Sequence, residues 1–216
     1  MNIVLYGEEK LLLAQRLEDL KKKYQCTSDD MNYMVYHAGE TPMKEIIEDA
    51  LTQPFLTEYK MVVLKNPIFL TKEKPKKKLV TDEDIKLFLD YIEHDNPATV
   101  FVIYQDQRNF DERKKVVKSL RQHAKWYEME KLTFNQLYKA TREAIIHRNA
   151  SIEDNALTLL LDRCGNDLLT ISNQVEKLCL YTHNIKKEDV ERLVPPRVEE
   201  DVFKLTNSLM NHDLRN

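Results

Sequence analysis

The sequence predicts an α/β domain in which helices cover a parallel sheet in three layers, followed by a small all-helical domain. Two observations predict the first domain. Five short runs rich in aliphatic, β-branched or aromatic residues are separated by amphipathic helical patterns over roughly residues 1 to 130. Strands that alternate with helices pair in parallel through right-handed crossovers. From residue 131 onward the apolar residues recur at helical spacing, which predicts the second domain.

The predicted strands of the first domain are its short apolar runs. They are NIVLY (2–6), YMVYHA (33–38), MVVL (61–64), TVFVIY (99–104) and KWYEM (125–129). The helical patterns between them cover residues 10–24, a segment beginning at Thr41 and Pro42, residues 81–92 and residues 111–123. Thr41 is expected to cap the second of these helices, because a proline at the next position already has a helical backbone angle and needs no donor there.

The second domain is predicted from residues that start helices. Thr133 and Gln136 have the spacing of a capping box at the beginning of a helical pattern. Ser151 and Asp154 have a similar spacing before the next apolar pattern. A helix is therefore expected to begin at each of these two places.

The rest of the second domain is predicted from residues that end helices. Gly165 follows the second helical pattern, where a left-handed C-cap is favoured. A third helix is expected over residues 167–181 and a short fourth over residues 186–194, which two prolines at 195 and 196 would stop. An amphipathic pattern restarts after Pro196 and runs to the last residue without a cap. We expect the natural chain to continue past Asn216.

Composition excludes several classes of protein. The formal net charge is -3, with 33 Lys and Arg against 36 Asp and Glu, so a surface that is basic overall is excluded. No run of about 18 apolar residues exists, and the first ten residues lack the basic start of a signal peptide. These features predict a cytoplasmic protein that does not enter a membrane.

Residue patterns typical of catalysis or metal binding are absent from the sequence. The three cysteines, Cys26, Cys164 and Cys179, form no CxxC pair and are expected to be reduced. The six histidines are scattered, with no HExxH motif. No G-x-S-x-G turn for a nucleophilic serine occurs. We therefore predict no catalytic residues, no metal and no cofactor.

The turn after the first predicted strand has the position of a phosphate-binding loop but not its residues. Such a loop reads G-x-x-x-x-G-K followed by Ser or Thr, whereas here Gly7 is followed by EEKLLLA. Glu8 and Glu9 would place negative charge beside a polyphosphate. After the strand MVVL, Lys65 and Asn66 occupy the place where a hydrolysing ATPase has acidic residues. No nucleotide-binding residues are therefore predicted, and Gly7 is expected to serve a tight turn.

Two basic segments permit a nucleic-acid contact. The first, TKEKPKKK at residues 71–78, reads as a loop that is either a solvated connection or a surface facing phosphate. Its candidate DNA-facing residues are Lys74, Lys76, Lys77 and Lys78. The second is the basic helix over residues 113–125. A nucleic-acid-binding module using both segments is the alternative function.

Apolar residues occupy a connection that would normally be polar. Pro54, Phe55 and Leu56 lie between the second predicted helix and the third predicted strand. Two interpretations are open: the apolar pair packs back into the core, or it projects and binds a pocket of another protein. Proline beside the pair would stiffen the connection and reduce the entropy lost on binding.

Three segments together resemble the delta subunit of the bacterial DNA polymerase III clamp loader, the subunit that opens the sliding clamp. They are IVLYGEEKLLL at the N-terminus, QPFLTEYKMVVL around Phe55, and CGNDLLTISNQVEKLCLY in the helical part. The third is the most distinctive and is similar to the pattern G-x-D-L-x-x-(x)-x-E-L-E-K-L, except that Gln174 and Val175 replace Glu and Leu. The resemblance covers the whole chain.

The resemblance implies an architecture and a function. Members of this family have an AAA+-like domain, here residues 1–130, a helical lid, here 131–195, and a helical collar that would begin at 196–216. They neither bind nor hydrolyse ATP, and they are non-catalytic subunits of the DNA polymerase III holoenzyme. Pro54, Phe55 and Leu56 would then bind the sliding clamp, the beta subunit, although family members commonly carry a large apolar residue where Pro54 stands. The collar would join this chain to loader subunits of the tau/gamma and delta-prime type. The resemblance also permits a contact with DNA within the assembled loader.

Overall fold

A computed structural model describes residues 1–26, 31–73 and 80–196 of the chain. Two predicted segments, the lysine-rich stretch at 74–78 and the amphipathic pattern from 197 onward, lie outside the described residues. The chain divides into two compact units, with the boundary between Glu130 and Lys131.

The first unit contains a five-stranded parallel sheet. Its strands are β1 (Asn2–Gly7), β2 (Tyr33–His37), β3 (Lys60–Lys65), β4 (Thr99–Gln105) and β5 (Ala124–Met129). Their order in the sheet is β2-β3-β4-β1-β5. All five predicted strands are confirmed, each to within one residue at either end. The residues of β3 and β4 are almost all buried, and a strand buried on both faces reads as a continuous apolar run.

Helices cover both faces of this sheet. They are α1 (Lys10–Lys23), α2 (Met43–Leu51), α3 (Asp82–Glu93) and α4 (Lys115–His123). Successive strand residues point to opposite faces, so Ile3 and Leu5 pack with Leu13 of α1, whereas Val4 packs in the core shared by α2, α3 and α4. The predicted three-layer arrangement is confirmed.

Two helices of the first unit begin later than the sequence predicts. Thr41 forms an isolated bridge with Ala38 rather than a cap, and α2 begins at Met43 with Pro42 in the N-cap position. Helix α4 begins at Lys115 instead of residue 111. Asp111 accounts for the second difference, because its carboxylate accepts from both the backbone N–H and the guanidinium of Arg113 and holds the chain in a turn.

Residues 131–196, the described part of the second unit, contain four helices around a core of their own. They are α5 (Phe134–Ile146), α6 (Asp154–Cys164), α7 (Leu168–Tyr181) and α8 (Lys187–Leu193). The prediction of an all-helical unit is wrong in one detail: β6 (Ser151–Ile152) and β7 (Asn184–Ile185) form a parallel pair. Strands of two residues are too short to produce a periodic pattern in the sequence.

The helix ends of the second unit confirm one prediction and correct two. Thr133 and Gln136 form the predicted capping box of α5. Gly165 follows α6 at the predicted position with a positive φ of 65°, but its ψ of -145° lies outside the left-handed helical region, so the predicted left-handed C-cap is wrong. The capping role predicted for Ser151 is wrong, because that residue lies in β6 and Glu153 occupies the N-cap position of α6.

The described residues bear on three features: membrane-spanning helices, metal sites and the state of the cysteines. Within residues 1–26, 31–73 and 80–196, no helix combines the length and apolar character needed to cross a bilayer. Over the same ranges, no group of three or more His, Cys, Asp or Glu side chains could hold a metal ion. Cys26, Cys164 and Cys179, all within the described ranges, are not joined in disulfides. Burial raises the pKa of the Cys164 thiol to about 11, which keeps it protonated at neutral pH.

Candidate protein-binding site

The apolar connection between α2 and β3 projects from the first unit. We call residues Pro54, Phe55 and Leu56 the tip. The side chain of Phe55 is 57% exposed and that of Leu56 is 90% exposed, while Pro54 is half-buried. The sequence left two interpretations open, and one of them was that the apolar pair packs into the core. Neither Phe55 nor Leu56 is buried there.

The C-terminal end of α2, on one side of the tip, is held by a buried lysine. Lys60, the first residue of β3, is 3% exposed. Its ammonium group donates to the carbonyl oxygen and to Oδ1 of Asp49, both at 2.7 Å, and to Oγ1 of Thr52 at 2.8 Å. A buried ammonium group that uses all three of its donors is stabilised, so it fixes the end of the helix relative to the sheet.

Two further polar side chains hold the same helix end. Thr99, in β4, donates its hydroxyl to the carbonyl of Ala50 at 2.7 Å. The side-chain amide of Asn96 donates to the carbonyl of Leu51 at 3.2 Å. The last carbonyls of a helix lack partners within the helix, so these bonds satisfy groups that would otherwise be buried without a partner.

The tip itself is held by a buried asparagine. Asn32, which precedes β2, is 2% exposed. Its side-chain Nδ2 donates to the Phe55 carbonyl at 2.8 Å, and its Oδ1 accepts from the Phe55 N–H at 2.6 Å. The backbone of Phe55 is therefore bonded on both sides, while its ring remains exposed.

Leu56 has a backbone conformation that leucine rarely adopts. Its φ is 57°, and a left-handed conformation costs a non-glycine residue about 1–2 kcal/mol. Strain of this kind persists only where the neighbouring structure enforces it. The bonds to Phe55, immediately before Leu56, provide that enforcement.

The turn between β1 and α1 is shorter than the loop of a P-loop motif. Only Glu8 and Glu9 lie between the two elements. The N–H of Glu9 donates to the carbonyl of Met129 at 3.2 Å, and its carboxylate caps α1 by accepting from the N–H of Leu11. Gly7 has a φ of 146° and lies against Met129, which agrees with its predicted role in a tight turn.

The end of β3 contains no acidic residue of the kind that organises magnesium. Lys65 ends the strand, and its ammonium group lies 5.6 Å from the centre of the Tyr104 ring. Asn66 donates its N–H to the carbonyl of Tyr104 and accepts from the N–H of Asp106. These two side chains support the adjoining loop.

The predicted basic helix over residues 113–125 is shorter in the structure, where α4 covers only Lys115–His123 and Lys125 lies in β5. Half of the six lysines and arginines in this segment are engaged within the protein. Arg113 pairs with Asp111 and thereby lowers the pKa of that carboxyl to about 2. Lys114 donates to the carbonyls of Phe69 and Thr71. Arg121 pairs with Glu112 at 2.6 Å and stacks on the Trp126 ring at 3.5 Å. The exposed lysines of this segment are Lys115, Lys118 and Lys125.

Sequence reasoning identified the tip but missed the residues that hold it. Asn32, Lys60 and Asn96 are isolated polar residues beside apolar strands, and nothing in their spacing indicates their partners, which lie between 8 and 45 residues away. A weak signal exists at Lys60, because a lysine at the first position of a buried strand requires a specific partner.

The strand order, the helices on both faces and the strand–turn–helix without phosphate-binding residues define an AAA+-like protein. The family model described as DNA polymerase III, delta subunit, matches residues 4–130. The chain belongs to this family, and the resemblance found in the sequence is confirmed.

Individual relatives agree with the family. DNA polymerase III subunit delta of Bacillus subtilis (strain 168) is 31% identical over 211 residues, which are 96% of this chain and 60% of that protein. The solved structure of the Bacillus subtilis DNA clamp loader delta protein has a TM-score of 0.73 at 31% identity, over 98% of this chain and 63% of that one. The chain therefore spans less than two thirds of the length of these relatives.

A more distant structure shares the fold alone. The Thermotoga maritima RuvB Holliday junction branch migration motor has a TM-score of 0.53 at 12% identity, covering 89% of this chain and 61% of that one. This likeness supports the AAA+-like architecture and carries no functional conclusion.

Proposed function

We propose that the chain is a clamp-loader subunit that binds and opens the DNA polymerase sliding clamp during DNA replication, and that the tip is its contact. The observation that carries the proposal is the exposure of Phe55 and Leu56 on a connection whose two ends are fixed by buried polar bonds. Membership of the delta-subunit family supports the choice of the sliding clamp as the partner.

The energy available at the tip is sufficient for an anchor. Burying about 100 Å² of a phenylalanine surface stabilises a complex by about 2.5 kcal/mol at about 25 cal/mol/Å². A connection that is already ordered loses less conformational entropy when it binds. Few residues usually carry most of the energy of an interface, and we assign that role to Phe55 and Leu56.

We further propose that this chain contributes no ATP chemistry. The short turn after β1 uses the N–H of Glu9 within the protein, which supports the proposal. Nucleotide binding would then belong to other loader subunits, whose ATP would control access to the tip. A titration with ATP and magnesium tests this, and saturable binding at the turn would contradict it.

The remaining assignments belong to the same proposal. Residues 1–130 are the AAA+-like domain, 131–195 the lid and 196–216 the beginning of the collar that joins tau/gamma and delta-prime subunits. DNA lies near the chain within the assembled loader. A cytoplasmic location follows from a role in bacterial replication.

The alternative, a nucleic-acid-binding module, is disfavoured by the basic helix. Arg113, Lys114 and Arg121 are engaged with protein groups, so fewer cations are available to neutralise phosphates. Strong DNA binding by the isolated chain that falls steeply with salt would favour this alternative.

The proposal is tested by measuring binding to the cognate sliding clamp without ATP. We expect Phe55→Ala to weaken binding by at least about tenfold, or about 1.4 kcal/mol. Phe134→Ala is the matched control, because Phe134 is a similarly exposed phenylalanine, at 48%, in the second unit.

The control should bind as the unaltered chain does. Absence of clamp binding, or equal affinities for the unaltered chain and Phe55→Ala, would contradict the proposal.

A further inference from the structure

We propose that Asn32 is a positioning residue for clamp binding: its buried side-chain amide fixes the Phe55 backbone and so presents Phe55 and Leu56 to the clamp. The inference rests on the proposed function of the tip. It assigns a role to a residue outside the tip, 23 positions earlier in the chain.

The first argument is the match between the two groups. A side-chain amide presents its oxygen acceptor and one N–H donor side by side, so it can bond the N–H and the carbonyl of a single residue at the same time. Asn32 uses the acceptor for the N–H of Phe55 at 2.6 Å and the donor for the carbonyl of the same residue at 2.8 Å. Neither an aliphatic side chain nor a carboxylate can make both bonds.

The second argument is that Asn32 is itself immobilised. Its backbone carbonyl accepts from the N–H of Met61 at 2.7 Å, and the next residue, Tyr33, begins β2. At 2% exposure its side chain is shielded from competing water. Asn32 therefore fixes the Phe55 backbone relative to β2 and β3 of the central sheet.

The third argument is the contrast between backbone and side chains at the tip. The Phe55 backbone is bonded on both sides, yet 57% of the side chain is exposed, and Leu56, at 90% exposure, has a φ of 57°. Internal burial of these apolar groups therefore does not explain the arrangement. Presentation of a fixed apolar surface to a partner explains the arrangement, because a preorganised surface binds with higher affinity.

The experiment is a double-mutant cycle on the full chain, measured by clamp binding. We expect Asn32→Ala to weaken binding about five- to tenfold in the unaltered chain and by a smaller factor in the Phe55→Ala background, because there Asn32 can act only through Leu56. Asn32→Asp should also weaken binding, since a carboxylate cannot donate to the Phe55 carbonyl.

Asn2→Ala is the matched control. Asn2 is also 2% exposed and also donates to a backbone carbonyl, that of Ile92, in the same unit. The change in clamp binding caused by Asn2→Ala measures the general effect of removing a buried asparagine. If Asn32→Ala does not fold, Asn32→Ser, whose hydroxyl cannot span both groups, takes its place.

Hydrogen exchange of the Phe55 amide gives a second measurement that needs no clamp. The amide should be protected in the unaltered chain and exchange at least about tenfold faster in Asn32→Ala, while Asn2→Ala leaves it unchanged. Equal exchange in Asn32→Ala and the unaltered chain would overturn the inference.

The outcomes separate the two proposals. If Phe55→Ala leaves clamp binding unchanged, the proposed function fails, and amide exchange still decides whether Asn32 holds the tip. If Phe55→Ala weakens binding but Asn32→Ala does not exceed Asn2→Ala, the inference is overturned. It is also overturned if Asn32→Ala weakens binding by the same factor with and without the Phe55 side chain.

Discussion

Gly7 is a residue at which two backbones touch. It ends β1, and in the register of the sheet it lies opposite Met129 of β5. A Cβ atom built on Gly7 would lie 2.1 Å from the carbonyl oxygen of Met129, and the φ of 146° is one that side-chain-bearing residues rarely adopt. Its absence of a side chain is therefore a requirement of the sheet and the turn.

Gly7→Ala should destabilise the protein by at least about 2 kcal/mol, because it adds a steric overlap with backbone to an unfavourable φ. Urea unfolding at pH 7 measures the change. Asp19→Ala, at an exposed position of α1, should remain within about 0.5 kcal/mol of the unaltered chain. Equal stabilities for the two variants would contradict this prediction, because they would show that β5 can shift at Met129 without a loss of unfolding free energy.

At the scale of the element, the two expected capping boxes differ. Thr133 accepts from the N–H of Gln136 at 3.4 Å, and the Gln136 side chain accepts from the N–H of Thr133 at 2.8 Å. Ser151 has a similar local sequence but bonds the carbonyl of His183 across to the chain before β7. A local pattern predicts a cap only where no tertiary partner competes for the same residue.

Thr133→Ala should therefore cost about 1 kcal/mol of unfolding free energy, as the loss of an N-cap does. Ser151→Ala should cost less than about 0.5 kcal/mol, because its hydroxyl is exposed and caps no helix. Chemical unfolding of the two variants side by side makes the comparison. A larger cost at Ser151 than at Thr133 would contradict the assignment of the caps.

The elements show how far the sequence determines the fold. Strands and helices were predictable because each buries a continuous run or a periodic face, and both signals are local. The β6–β7 pair was not, since two residues carry no period. At the tip, the sequence predicted which apolar residues matter but not whether they are exposed, because Asn32, which bonds the Phe55 backbone, lies in a distant part of the chain.

At the scale of the whole molecule, the tip and all of its supports belong to one unit. Asn32, Lys60, Asn96 and Thr99 precede the boundary after Glu130. The second unit has a separate core formed by residues from Leu137 to Val194. We therefore expect the proposed clamp contact to depend on the first unit alone.

A fragment of residues 1–130 should bind the sliding clamp within about threefold of the full chain, a difference of about 0.7 kcal/mol. Circular dichroism first establishes that the fragment is folded, and the same clamp assay then compares the two. A folded fragment that does not bind would show that the second unit contributes to the contact.

The position of β1 in the sheet has a consequence for synthesis. This strand is made first, yet its two neighbours are β4 and β5, so its last partner, Met129, is added 122 residues after Gly7. At about 5–20 residues per second, an apolar segment waits on the ribosome for roughly 6–25 s before its sheet can close. The nascent chain passes through a period in which the strand NIVLYG is exposed and open to chaperones.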